Sequence, residues 1–212
     1  MHARALCYLA VVVVHLLGTL YPGRSHAAPL EVVATVPDLG DLVRVVGGDQ
    51  VSVSVITKGP QDPHVVEPRP SLIRQLHDAD LFVLTGMDLE IGWAPVLLQG
   101  ARNPKILPGG EGYLDTSSVV TPLEVPAATS NRSMGDLHPY GNPHYLTDPV
   151  HGLRVAALLR DALGSLRPDG RAGFEQRCER FVQQTLEHLV GTELVASYGP
   201  EEVARLLDSG RF

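Results

Sequence analysis

The chain has 212 residues, with 17 Lys and Arg against 24 Asp and Glu, for a formal charge of −7. An acidic chain without a Lys/Arg cluster lacks the electrostatic footprint that nucleic-acid binding needs. Its 44% apolar content argues against intrinsic disorder and suffices for the core of one ordinary domain.

The first residues are not read as fold. Met1–Arg4 is short and basic, Ala5–Leu20 is mostly apolar, and Ser25-His26-Ala27 offers small residues where a signal peptidase reads. This three-part pattern predicts a secretory leader over residues 1–27, cleaved after Ala27. A retained anchor is the competing reading. A lipoprotein is disfavoured because Cys7 sits inside the apolar run rather than at its end. Cleavage removes Arg4 and Arg24 and no acidic residue, so the mature chain is more acidic still. No later stretch is long and apolar enough to span a bilayer.

The next segments read strand, helix, strand. Glu31–Val36 is short and β-branched and ends at Pro37, Leu39–Val46 has helical spacing and stops at Gly47-Gly48, and Val51–Ile56 is again strand-like. Gly59–Pro70 is a loop. Ser71 is a candidate N-cap for a helix over Leu72–Asp78, and Asp80–Thr85 is the next strand. Gly86–Gln99 carries a helical face at Leu89, Trp93, Val96 and Leu97, but Pro95 shortens it or moves its start toward the proline. Residues 103–140 read mostly as connection, with one short strand at Lys105–Leu107. A connection of that length suggests function. Helices follow over Pro149–Leu166, Ala172–Leu189 and Glu201–Leu207. Alternating short strands and helices predict an α/β fold with a parallel sheet and flanking helices. No Gly-rich phosphate loop stands at a strand–helix junction, which removes the main signal for nucleotide chemistry.

Cys178 is the one cysteine left after leader cleavage, so no intrachain disulfide can form. It falls on the stripe Phe174, Cys178, Phe181, Leu189, which reads as a buried core thiol.

Two segments carry candidate chemistry. Asp62-Pro63-His64 opens one, and Asn142-Pro143-His144 lies in the other. Each puts a histidine behind a proline, whose ring narrows the local backbone choices and limits how far the imidazole can wander. Neutral imidazole is a good zinc ligand, and its second ring nitrogen normally needs an acceptor. Asp62, Glu67, Asp136 and Asp148 are the nearby acidic candidates for that supporting role, with helix capping as the alternative. Plain loop or cap roles for His64 and His144 also stay open on spacing alone. His138 is either an auxiliary ligand or a loop-packing residue. His77, His151 and His188 read as surface or helix-end residues, and His2, His15 and His26 belong to the leader.

At these segments the chain resembles the periplasmic zinc/manganese-binding proteins of ABC importers, the cluster A-I solute-binding family. The pattern Asp-Pro-His…Glu-Pro-x-Pro-Ser matches at Asp62–Ser71, and Asn-Pro-His-Tyr-x-x-Asp-Pro matches at Asn142–Pro149. The run Thr85-Gly86-Met87-Asp88-Leu89-Glu90, closed by Trp93, and the opening Val33–Pro37 add to the likeness.

The resemblance implies two α/β lobes joined by a long helix, with metal in the cleft between them. Residues 28–167 would form the amino-terminal lobe, 168–191 the linking helix, and 192–212 the start of an incomplete second lobe. His64 and His144 would be the first lobe's metal ligands. The family's second lobe supplies a further histidine and a carboxylate, and neither motif occurs here, so a truncated product is expected. The implied cargo is Zn²⁺, with Mn²⁺ possible, and the implied partner is an importer permease. No catalysis is implied: Glu67 or Glu90 as the base of a metallohydrolase would stand in no recognised catalytic arrangement. The alternative is an extracytoplasmic adhesin or structural interaction protein that keeps the fold without competent metal delivery.

Overall fold

The computed structural model describes residues 28–126 and 138–211. The expected leader and Asp136 lie outside those residues. Strand β1 (Leu30–Ala34) is flanked by β2 (Val51–Val55) and β3 (Leu81–Leu84), and β4 (Tyr113–Asp115) completes an all-parallel sheet ordered β2-β1-β3-β4. The chain thus leaves β1 to one side for β2 and returns to its other side for β3. This reversal creates a switch point at the carboxyl ends of β1 and β3, the place where open α/β sheets usually bind ligands.

Parallel central strands are buried on both faces, and side chains alternate between the faces. Val32 and Ala34 of β1, with Leu81 and Val83 of β3, point into one layer. There they meet Leu39, Val43 and Val46 of α1 (Pro37–Gly47), Leu159 and Leu163 of α4 (Pro149–Leu166), and Phe174 and Cys178 of α5 (Arg171–Val190). Val33, Phe82 and Leu84 point the other way. They meet Leu72 and Leu76 of α2 (Pro70–Asp78), and Trp93 and Leu97 at α3 (Ala94–Ala101). A third cluster joins Leu153 of α4 and Leu186 of α5 to Val195 of α6 (Thr192–Tyr198) and Val203 of α7 (Pro200–Asp208).

The α/β class, the parallel sheet, the flanking helices and the long helix near the carboxyl end all agree with expectation. Arg177 anchors that long helix, α5. Its guanidinium donates to the carbonyls of Val46 and Gly47 at 2.7 and 2.8 Å, satisfying orphan acceptors at the end of α1.

Several local expectations are corrected. Lys105–Leu107 is not a strand. The Asn103 side chain accepts from the Lys105 amide at 3.2 Å and starts a single 3₁₀ turn over Pro104–Ile106, and the last strand forms later, at Tyr113–Asp115. Ser71 does not cap α2. The helix starts two residues earlier than expected, at Pro70, whose preset φ suits the first turn, with extended Arg69 as its N-cap. Within Gly86–Gln99 the second reading of Pro95 holds: the helix start moves to the proline, and the helix runs over Ala94–Ala101 with Pro95 in its first turn. Leu189 leaves the stripe and is exposed, and Leu186 takes its place in the core. His151 is not a surface residue. It is partly buried, with Nδ1 3.2 Å from the Tyr145 carbonyl.

His77 and His188 are exposed as expected. Among the described residues no helix is long and apolar enough to cross a membrane.

Cys178 is buried as read, at 2% exposure, and burial pushes its thiol pKa up. Because the thiolate is the reactive form, alkylation of the native protein followed by peptide mapping is expected to leave Cys178 unmodified. Alkylation in denaturant should modify it fully. Rapid labelling of the native protein would contradict this packing.

Candidate metal centre

The two Asx-Pro-His segments fold into the same local device. In each, the side-chain oxygen of the first residue accepts the backbone N–H of the histidine two residues on: Asp62 Oδ1 from His64, and Asn142 Oδ1 from His144, both at 2.9 Å. This is the Asx-turn that Asp and Asn favour, and the intervening proline stiffens it. Each histidine is therefore fixed at its backbone before any packing acts on its ring.

Long-range contacts then set the loops. Trp93, 1% exposed, donates its indole N–H to the Pro63 carbonyl at 2.8 Å and ties the His64 turn to the core. Asn142 donates its side-chain amide to Glu124 at 2.8 Å, and its backbone N–H to the Leu123 carbonyl at 2.9 Å. Gly141, at φ +110, makes the preceding bend. A side chain there would strike Pro122 at 2.8 Å. Next to His144, the buried Tyr145 donates its hydroxyl to the Thr85 carbonyl at 2.7 Å and pairs with the Thr116 hydroxyl at the same distance. Burial pushes the Tyr145 pKa well up, so its hydroxyl keeps its proton.

The outcome is a convergence of three imidazoles. One ring nitrogen from each of His64, His138 and His144 lies within 4.8 Å of the other two. The ring centroids are 5.0 Å apart for His64 and His138, 6.0 Å for His64 and His144, and 6.4 Å for His138 and His144. The tightest contact is 3.0 Å, between Nε2 of His64 and Nε2 of His138. Asp62 decides the tautomer of His64. Its Oδ1 lies 2.7 Å from His64 Nδ1, and hydrogen bonds from His64 hold the Asp62 carboxyl below its ordinary pKa, so it is an ionised acceptor. In the neutral tautomer that this acceptor favours, Nδ1 carries the proton, Nε2 of His64 presents its lone pair, and Nε2–H of His138 donates to it. A carboxylate behind one ring nitrogen with a lone pair on the other is how metal-binding histidines are usually held.

The histidines lie at the carboxyl ends of the strands. A cavity of about 460 Å³ opens beside them, lined by Val36, Thr57, Pro63, Thr85, Leu89 and His144. A larger groove of about 740 Å³ runs between α3 and β4, but it includes none of the three histidines. The histidine cluster, not the larger cavity, offers the donor atoms that could hold a metal ion.

Beneath the cleft, Glu90 is 2% exposed and fastens the switch point. Its Oε1 accepts the Thr35 hydroxyl at 2.7 Å and the Thr85 amide at 2.8 Å, and its Oε2 accepts the Gly86 amide at 3.1 Å. The turn that delivers it runs through three left-handed residues: Gly86, Met87 and Asp88. A side chain at Gly86 would approach Asp115 Oδ1 to 2.1 Å.

Of the acidic residues expected in a supporting role, Asp62 touches the His64 ring, while Glu67 is exposed. Asp148 instead caps α4, accepting the Val150 amide at 2.8 Å, and Asp136 lies outside the described residues. Sequence reasoning missed the structural roles of Glu90, Tyr145 and Asn142. The shared Asx-Pro-His spacing was a usable signal for Asn142. Nothing local marks Tyr145 or the Glu90–Thr35 contact, because those partners are far away in the chain.

Residues 32–191 match the family model described as "ZnuA: Zinc-uptake complex component A periplasmic". The chain is similar to the manganese ABC transporter substrate-binding lipoprotein PsaA of Streptococcus pneumoniae serotype 4, with 34% identity over 158 residues, 73% of this chain and 48% of that protein. It is also similar to the iron ABC transporter substrate-binding lipoprotein MtsA of Streptococcus pyogenes serotype M1, with 33% identity over 156 residues, 72% of this chain and 47% of that protein. A crystal structure of ZnuA superposes with a TM-score of 0.58 at 26% identity, covering 77% of this chain and 60% of that one. The chain spans about half the length of the curated relatives it matches, from 47% to 56%.

Proposed function

This chain belongs to the ZnuA family, named for the periplasmic component of zinc-uptake complexes, and on that premise we propose that it captures a divalent transition-metal ion outside the cytoplasm for delivery to the membrane permease of an ABC importer. The observation that carries the reading is the meeting of His64 and His144, delivered by twin Asx-Pro-His turns from distant parts of the chain. We read residues 28–167 as the metal-binding lobe, 168–191 as the linking helix and 192–212 as the start of a second lobe. Residues 1–27 are the leader that directs export.

His64 and His144 are the ligands contributed by this lobe, and Asp62 supports His64. Zinc is the preferred cargo, because imidazole nitrogen suits zinc whereas manganese favours oxygen donors. Manganese is the alternative, since the names of several relatives specify that metal. The role is binding without catalysis. Glu67 is exposed, and Glu90 is committed to three donors, so neither is poised to take a proton from a metal-bound water.

Calorimetric titration of Zn²⁺ into the protein against a competing chelator tests this reading. One-to-one binding is expected, weakened by at least about 100-fold in His64→Ala and in His144→Ala, since losing a ligand should cost no less than losing a supporting partner. Unchanged affinity in both variants refutes it.

A further inference from the structure

We infer that this lobe by itself presents a three-histidine zinc site, with His138 as the third ligand and the fourth coordination position open to an exchangeable donor. The inference rests on the metal-capture reading and deepens it. His138 stands outside both Asx-Pro-His segments, and the resemblance assigns it no role. Geometry brings it in: its Nε2 lies 3.0 Å from Nε2 of His64, and the His144 ring nitrogen lies within 4.8 Å of both.

Those distances are close to what zinc requires. Zn–N bonds of roughly 2.0–2.1 Å at tetrahedral angles separate neighbouring ligand nitrogens by about 3.3–3.4 Å. The His64–His138 pair needs to open only slightly. The His144 ring has to swing inward, and it has room to do so, because its side of the cluster is exposed while its backbone stays pinned by Asn142. The hydrogen bond that now joins His64 to His138 spans the place a cation would take. For zinc to sit there, His138 shifts its proton from Nε2 to Nδ1, so that both Nε2 lone pairs face the ion and each ring stays neutral.

The ligand count also fits. Two imidazoles hold zinc weakly, whereas three protein ligands are what zinc sites that keep an open fourth position usually have. Three neutral donors leave the ion's full positive charge on the site, and this favours an anionic or water ligand in the fourth position. An open position is also what a cargo site needs if the ion is to be handed on by ligand exchange.

The test uses the full chain loaded with Zn²⁺, comparing native protein with His138→Asn, His138→Cys, His64→Ala and His144→Ala. Affinity is read by chelator competition and the imidazole count by X-ray absorption. Trp93 fluorescence verifies that each variant is folded. The native site is expected to show three imidazoles. His138→Asn should drop one imidazole and weaken binding by roughly the 100-fold or more expected for losing a ligand. His138→Cys should recover most of the affinity with one sulfur in the shell, because thiolate also ligates zinc and a mere packing role would not be rescued this way. If His138→Asn keeps native affinity and count while His64→Ala and His144→Ala lose binding, the third-ligand inference falls and metal capture stands. If none of the variants changes affinity, both fall together.

Discussion

Glu90→Ala is expected to destabilise the fold by about 3–5 kcal/mol, a large share of the roughly 5–15 kcal/mol that holds an ordinary domain together. The carboxylate joins the ends of β1 and β3: it takes one hydroxyl and two amide protons inside the core. Alanine orphans all three donors, each worth roughly 1–3 kcal/mol when buried without a partner. Some of that loss is recovered where water enters from the neighbouring groove, which Glu90 lines. Glu90→Gln keeps one acceptor oxygen but sets an amide N–H₂ against a donor, so an intermediate loss of about 1–2 kcal/mol is expected. Chemical denaturation of the metal-free proteins measures both, and an Ala variant as stable as native would show that the switch point holds without this carboxylate.

The same residue carries a pH signature. Burial pushes the Glu90 pKa above its usual value, against the pull of its three donors. The folded state therefore holds the proton more tightly than the unfolded chain, whose Glu pKa is about 4.3. The contribution from this group is complete below that unfolded value and is lost as pH rises through the folded one. The stability difference between native and Glu90→Gln should accordingly fall with rising pH over that window. A difference that climbs instead would mean that the donors outweigh the burial.

Trp93→Ala is expected to cost about 3–5 kcal/mol as well, for a different reason. The indole is among the largest fully buried side chains and fills the layer between the sheet and α2–α3, so alanine leaves a cavity that rigid neighbours cannot close. Its N–H also donates to the Pro63 carbonyl, one residue before His64. Trp93→Phe separates the two roles. The smaller ring retains much of the apolar contact, and the lost hydrogen bond costs about 1 kcal/mol. Zinc affinity should nevertheless fall several-fold, because the turn carrying His64 loses its tie to the core. Denaturation and chelator competition on the same samples separate the effects. Native zinc affinity in a folded Trp93→Phe protein would show that the Asx-turn alone positions His64.

The element pattern was readable from local order, because a strand buried on both faces needs an unbroken apolar run and its crossover helices need helical spacing. Leu81–Leu84 and Pro149–Leu166 follow those rules directly. The errors arose where one polar side chain redirected the backbone: Asn103 made a 3₁₀ turn from a segment with strand-like residues. His64 and His144 were identifiable because a proline after Asx and before histidine is a local restraint, active before tertiary contacts form.

Fold membership was thus encoded in short-range patterns. The place of His138, the grip of Glu90 on Thr35 and that of Tyr145 on Thr85 were not. Those depend on contacts between residues 55, 60 or 74 positions apart in the chain. A histidine or buried carboxylate has no local preference that announces such a partner. Its chemistry is set by what the sheet order brings to the carboxyl ends of β1 and β3, and burial there decides whether a polar group supports the scaffold or faces the cleft.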